Sequence, residues 1–144
     1  MQQPFLIAAL LLASLTGCLS DTLDSSYDTM QEAIERGAVH KGWIPTWIPA
    51  DVTRLSEVHN LDSNASALAF DLPRGSTWQL DSSCREVAYA DTVPSRFDRS
   101  WWPSDKTLAT RYRFFRCRAD AAEYAFVGID PVASRGLHWR TWSR

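Results

Sequence analysis

Apolar and polar positions are patterned most clearly in the last third of the chain. RYRFFRCR (111–118), YAFVGI (124–129) and GLHWRTW (136–142) are short runs rich in aromatic or β-branched residues, the composition of half-buried strands. Turn formers at Arg118-Ala119-Asp120 and Asp130-Pro131 separate them, which predicts a C-terminal three-stranded antiparallel meander. Further upstream, Arg54 to Leu61 alternates imperfectly, with Leu55, Glu57, His59 and Leu61 on one face and Ser56, Val58 and Asn60 on the other. After the turn cluster Asp62-Ser63-Asn64, Ala65 to Leu72 again reads as extended. The two segments predict an antiparallel hairpin or two strands around a wider loop.

Helical signals are few and short. Thr29 to Gly37 has a capping residue at Asp28 or Thr29, early acidic residues, Arg36 in its last turn and Gly37 as a stop, which predicts two helical turns. Pro45 and Pro49 forbid a regular helix through GWIPTWIPADV, although Pro49 suits the opening of a single turn at Ala50 to Thr53. Ser76, after the break at Pro73-Arg74-Gly75, is placed to cap a short helix through Leu80. Asp91 to Ser104 reads as a loop with Pro94 and Pro103 around Trp101-Trp102. The sum is an α+β fold: one small domain over residues 29–144, with a mainly antiparallel sheet and one or two short helices. No internal repeat is visible.

The N-terminus has a different pattern. Pro4 to Leu15, PFLIAALLLASL, is an unbroken apolar run, long enough for an export signal and well short of the ~20 residues a spanning helix needs. Leu15-Thr16-Gly17-Cys18 follows and resembles the lipobox of bacterial lipoproteins: a branched apolar residue, two small residues that admit a peptidase to the backbone, and a cysteine. That resemblance implies a signal peptide over residues 1–17, cut between Gly17 and Cys18, with a lipid thioether on the Cys18 sulfur. One departure is the n-region Met1-Gln2-Gln3, which has no Lys or Arg. Leu19 in the next position implies transfer to the outer membrane in bacteria that sort by it. LSDTLDSSYD (19–28) lacks an apolar period and reads as a flexible tether.

Length and charge narrow the picture. The 144 residues, less signal and tether, suit one hydrophobic core. Residues 18–84 carry four Lys and Arg against ten Asp and Glu, and residues 85–144 carry eleven against seven. Such a split is more commonly the mark of halves that pack with complementary fields than of a charged partner, and it does not imply nucleic acid. With Cys18 assigned to lipid, Cys84 and Cys117 remain as an even pair in a compartment where disulfides persist. Pairing is favoured over two buried thiols.

Candidate chemistry is sparse. His40, His59 and His138 are the three histidines, and none has the spacing of a metal site. No nucleophile elbow, phosphate-cradling loop or Ser-x-x-Lys pattern is present, so neither cofactor nor metal is expected. His59, Asp62 and Asn64 form the most suggestive polar cluster, an imidazole beside a carboxylate and an amide that suits acid-base work or a small polar ligand. Turn formation by Asp62 and Asn64, with a half-exposed strand histidine beside them, is the stronger explanation. Among the seven Trp, core packing is the favoured use of the large rings, and Trp101 and Trp102 are the first candidates for a binding surface.

Trp43-Ile44-Pro45, Ile48-Pro49 and His59-Asn60-Leu61-Asp62-Ser63-Asn64 resemble a pattern in small uncharacterised proteobacterial lipoproteins, as do Trp102-Pro103 and the Tyr112 to Cys117 spacing. The resemblance implies a lipid-anchored single domain and no activity. The expectation is a non-enzymatic domain on the periplasm-facing side of the envelope, held to the membrane through lipid on Cys18 and meeting an envelope protein. The alternatives are a small enzyme or ligand-binder built on His59, Asp62 and Asn64, or an immunity or inhibitor lipoprotein.

Overall fold

The computed structural model describes residues 20–118 and 124–142, so Gly17, Cys18 and the signal segment lie outside the described residues. In chain order the elements are β1 (Thr22–Thr29), α1 (Met30–Glu35), β2 (Thr53–Asn60), β3 (Ser66–Asp71), β4 (Arg85–Val87), a 3₁₀ turn (Tyr89–Asp91), α2 (Asp105–Arg111), β5 (Arg113–Cys117), β6 (Tyr124–Asp130) and β7 (Arg135–Thr141). All seven strands join one sheet in the order β1-β2-β3-β7-β6-β5-β4, every pairing antiparallel. The expected hairpin is β2-β3 and the expected meander is β5-β6-β7. Their union through β3 and β7 makes the sheet continuous.

Both faces of that sheet are covered. On the first face Leu55, Leu68 and Phe70 pack under α1 and the segment from Ala38 to Val52, with Ile44 and Ile48 buried between them. On the second face Val58, Ala67, Ala69, Phe126, Leu137 and Trp139 pack beneath the 3₁₀ turn, the 92–104 segment and Leu108 of α2. Each large side chain so buried contributes roughly 1.5–3 kcal/mol. Two-sided cover explains why β3, β6 and β7 are buried nearly continuously in place of strict alternation. Phe70 lies across its partner Gly136, where an added Cβ would come within 2.3 Å of the ring. Ion pairs Arg99–Asp24 and Arg135–Asp71 join the basic second half of the chain to the acidic first half.

Local sequence sets the helix ends. Thr29 Oγ1 accepts a hydrogen bond from the Glu32 amide (3.2 Å), and Gly37 adopts φ 82° so that its own N–H and that of Ala38 satisfy the last carbonyls of α1. Ser104 caps α2 through the Thr107 amide (3.3 Å). Among the described residues no helix is long and apolar enough to cross a membrane.

Four expectations change. Residues 22–28, read as tether, are strand: β1 pairs with β2 from Thr22 to Thr29, and the buried Tyr27 ring holds the polar sequence in place. The domain therefore begins before residue 29. Its outer edge is stopped by the chain itself, since Ser20 Oγ bonds both backbone groups of Thr22, Arg36 bonds the Ser26 carbonyl (3.0 Å) and Glu32 takes the Asp28 amide (2.8 Å). The expected helix from Ser76 to Leu80 is absent, because Trp78 is drawn onto the first face, its indole N–H donating to the Trp47 carbonyl (3.2 Å). Leu61 does not extend the inward face of β2; the strand ends at Asn60 and Leu61 is exposed. Finally, β4 and α2 are additions that patterning did not predict.

Candidate functional site

The structure separates the polar cluster weighed from the sequence. His59 points into the first face and is buried, whereas Asp62 and Asn64 stand exposed in the turn after β2. Asn64 takes a left-handed φ of 55°, and Asn60 Oδ1 closes the turn by accepting from the Ser63 amide and hydroxyl. Asp62 lies instead beside Asp21, whose carboxyl it pushes above the usual range by like-charge repulsion. No acid-base constellation of these three residues exists.

His59 has a different partner. Its Nδ1 is 2.8 Å from Glu57 Oε1, and its ring lies against the Trp43 indole with centroids 3.8 Å apart. Burial pushes the Glu57 carboxyl up to about 8, with the nearby Asp24 charge adding to the effect. Burial lowers the His59 imidazole, as does the Lys41 ammonium, while Asp24 opposes both. Both shifts favour the uncharged forms, so the contact joins a protonated carboxyl to a neutral imidazole through one hydrogen bond whose direction follows the tautomer. Glu57 Oε2 and His59 Nε2 have no hydrogen-bond partner among the described residues.

Trp101 and Trp102 are each half-buried rather than a flat exposed platform. Trp102 stands edge-on to Trp139, with centroids 5.6 Å apart, and Trp101 stands edge-on to Trp102 at 6.1 Å. Trp139 is fixed in turn by its indole N–H, which donates to the Val93 carbonyl (2.8 Å). Trp102, Trp139, Leu108, Tyr89 and Phe97 line a hollow of about 620 Å³ on the second face, which the 89–105 segment wraps. Its rim is polar: Arg99 grips Asp24 through two bonds of 2.6 and 3.0 Å, and the Tyr89 hydroxyl donates to Asp105 (3.1 Å).

A second hollow of about 610 Å³ opens on the first face. His138, Arg140, Ala125 and Cys117 form its floor, with Trp47 on one side and Asp81 to Ser83 on the other. Cys84 and Cys117 form a disulfide that pins the 81–84 wall to β5. The Arg118 amide adds to this by donating to Ser83 Oγ (3.0 Å). Among the described residues no group of three or more His, Cys, Asp and Glu side chains is placed to hold a metal ion.

Residues 21–71 match the family model of the YbbD head domain. No curated protein and no solved structure matches the chain. The YbbD head match runs from β1 through β3 and includes the Trp43-Ile44-Pro45, Ile48-Pro49 and His59 to Asn64 motifs. It therefore contains the Glu57–His59–Trp43 stack but ends before Trp102 and His138, so both hollows depend on residues outside it.

Sequence reading missed Glu57, His138 and Arg140 as site residues. The one available signal was a carboxylate and an imidazole two apart on an otherwise apolar strand face, Leu55-x-Glu57-x-His59. His138, between Leu137 and Trp139 in a strand buried on both sides, gives no such signal.

Proposed function

We propose that this chain is a binding domain of the bacterial cell envelope, anchored through lipid on Cys18, facing the periplasm from the outer membrane, and acting by recognition rather than catalysis. The observation that carries the binding role is the Trp102–Trp139 hollow. It is an aromatic recess with a charged rim, the combination that receives an apolar side chain from a protein partner and excludes water around it. The lipobox supports the anchor, and the Cys84–Cys117 disulfide accords with an oxidising compartment.

A photo-crosslinking side chain in place of Phe97, on the wall of the hollow, tests this in intact cells. A discrete protein adduct that disappears when Trp102→Ala is added supports the reading. An adduct that survives Trp102→Ala, or no adduct above background, removes it.

A further inference from the structure

The lining of the Trp102 hollow also indicates which side chain suits it, an inference that rests on the binding role proposed for that recess. Its wall is aromatic. Tyr89, Phe97 and Trp102 line it and are each half-buried, so part of every ring is open to an incoming chain, while Trp139 beneath them is buried.

The charges at its mouth are unequal once their partners are followed. Asp98 and Asp105 both line the hollow and are exposed, and neither is in an ion pair of hydrogen-bonding distance among the described residues. The Asp105 carboxylate accepts the Tyr89 hydroxyl. Both arginines of the lining are engaged. Arg99 is gripped by Asp24, and although Asp98 adds to the field on it, one guanidinium does not neutralise two carboxylates. The Arg96 guanidinium lies 4.1 Å from the centroid of the Trp142 ring, and Trp142 lines a neighbouring recess. The mouth therefore holds the carboxylates of Asp24, Asp98 and Asp105 against Arg96 and Arg99 alone.

Aromatic rings attract a cation, and a long basic side chain buries its methylene stem while its charged head stays in water at the rim. Arg99 does this within the chain itself, its guanidinium 5.9 Å from the Phe97 centroid.

We propose that the partner side chain received by the Trp102 hollow is a lysine or arginine, its stem against Trp102 and Tyr89 and its cationic head at the rim with Asp98 and Asp105. The same two carboxylates repel an acidic side chain.

Titration of the full chain in detergent with capped peptides Gly-Gly-Xaa-Gly-Gly tests this, read from the indole N–H resonance of Trp102. Lysine and arginine peptides should move it with a Kd on the order of 10 mM, norleucine, which has the stem without the charge, about threefold more weakly, and glutamate not at all. Asp98→Asn combined with Asp105→Asn should reduce the lysine and arginine peptides to the norleucine value. Asp105→Asn keeps an acceptor for the Tyr89 hydroxyl, so the wall retains its bond. In cells the same double variant should cut the adduct from the crosslinker in place of Phe97 by about threefold. Equal binding of norleucine and lysine overturns the proposal, as does a Trp102 resonance that stays fixed at about 50 mM lysine and arginine peptide. A cellular adduct that is lost with Trp102→Ala yet undiminished by the double variant removes the basic side chain and leaves the binding role of the hollow standing.

Discussion

The imidazole of His59 lies nearly parallel to the indole of Trp43, 3.8 Å between ring centres, and its other contact is the carboxyl of Glu57. Glu57 is fully buried, so the pair has exchanged solvent for one hydrogen bond and a stacked ring.

The first prediction is a stability profile with two shoulders. Glu57 is raised from 4.5 to about 8 on folding, so its stabilisation is complete below pH 4.5 and is lost as pH rises towards 8. His138 is lowered from 6.5 to about 3, so its contribution is complete above 6.5 and is lost as pH falls towards 3. His59, also lowered, acts in the same sense as His138. Chemical denaturation across pH should therefore show greatest stability between the two unfolded values, 4.5 and 6.5. The loss on the alkaline side should be on the order of a few kcal/mol. Glu57→Gln keeps a donor for His59 and should flatten that side. A variant that declines as steeply as the unaltered protein would show that Glu57 is not the titrating group.

Reduction of the disulfide is the second. Cys84 and Cys117 are 33 residues apart, and closing a loop of that size stabilises by roughly 3–4 kcal/mol. Replacing both with Ala should lower the denaturation midpoint accordingly. Hydrogen exchange should rise first at Asp81 to Cys84, the wall that the bond holds.

Gly136 gives the third. A methyl group there meets the Phe70 ring, so Gly136→Ala should destabilise by about 1–3 kcal/mol. Phe70→Leu in the same chain should recover part of the loss, and strictly additive penalties would argue against contact between the two positions.

Much of this arrangement could be read before folding, and the failures have physical causes. β2, β3 and the meander were legible because aromatic and branched residues mark strands that pack against a core. β1 was not, since TLDSSYDT buries only Tyr27 and owes its conformation to pairing with β2. α2 places only Leu108 inside over two turns, which leaves no helical period to detect, although Ser104-Asp105 was a capping signal. His59, Asp62 and Asn64 are close in sequence, yet the strand turns His59 inward and the turn leaves the other two outside. The seven Trp were ambiguous in sequence because large rings serve both uses, and most of them lie within aromatic stacks beneath the loops.

The proposed anchor supplies the fourth prediction. Cys18→Ser should abolish acyl labelling and signal cleavage together. A matured, membrane-bound Cys18→Ser protein would refute the lipid assignment.

The early start of β1 has a consequence for how such a protein stands in the cell. A ten-residue leash would let the domain roam and tumble some distance above the lipid. With β1 beginning at Thr22, the reach from Cys18 to the sheet is at most roughly 14 Å. With the anchor proposed on Cys18, four residues of chain would hold the β1 end of the sheet close to the bilayer.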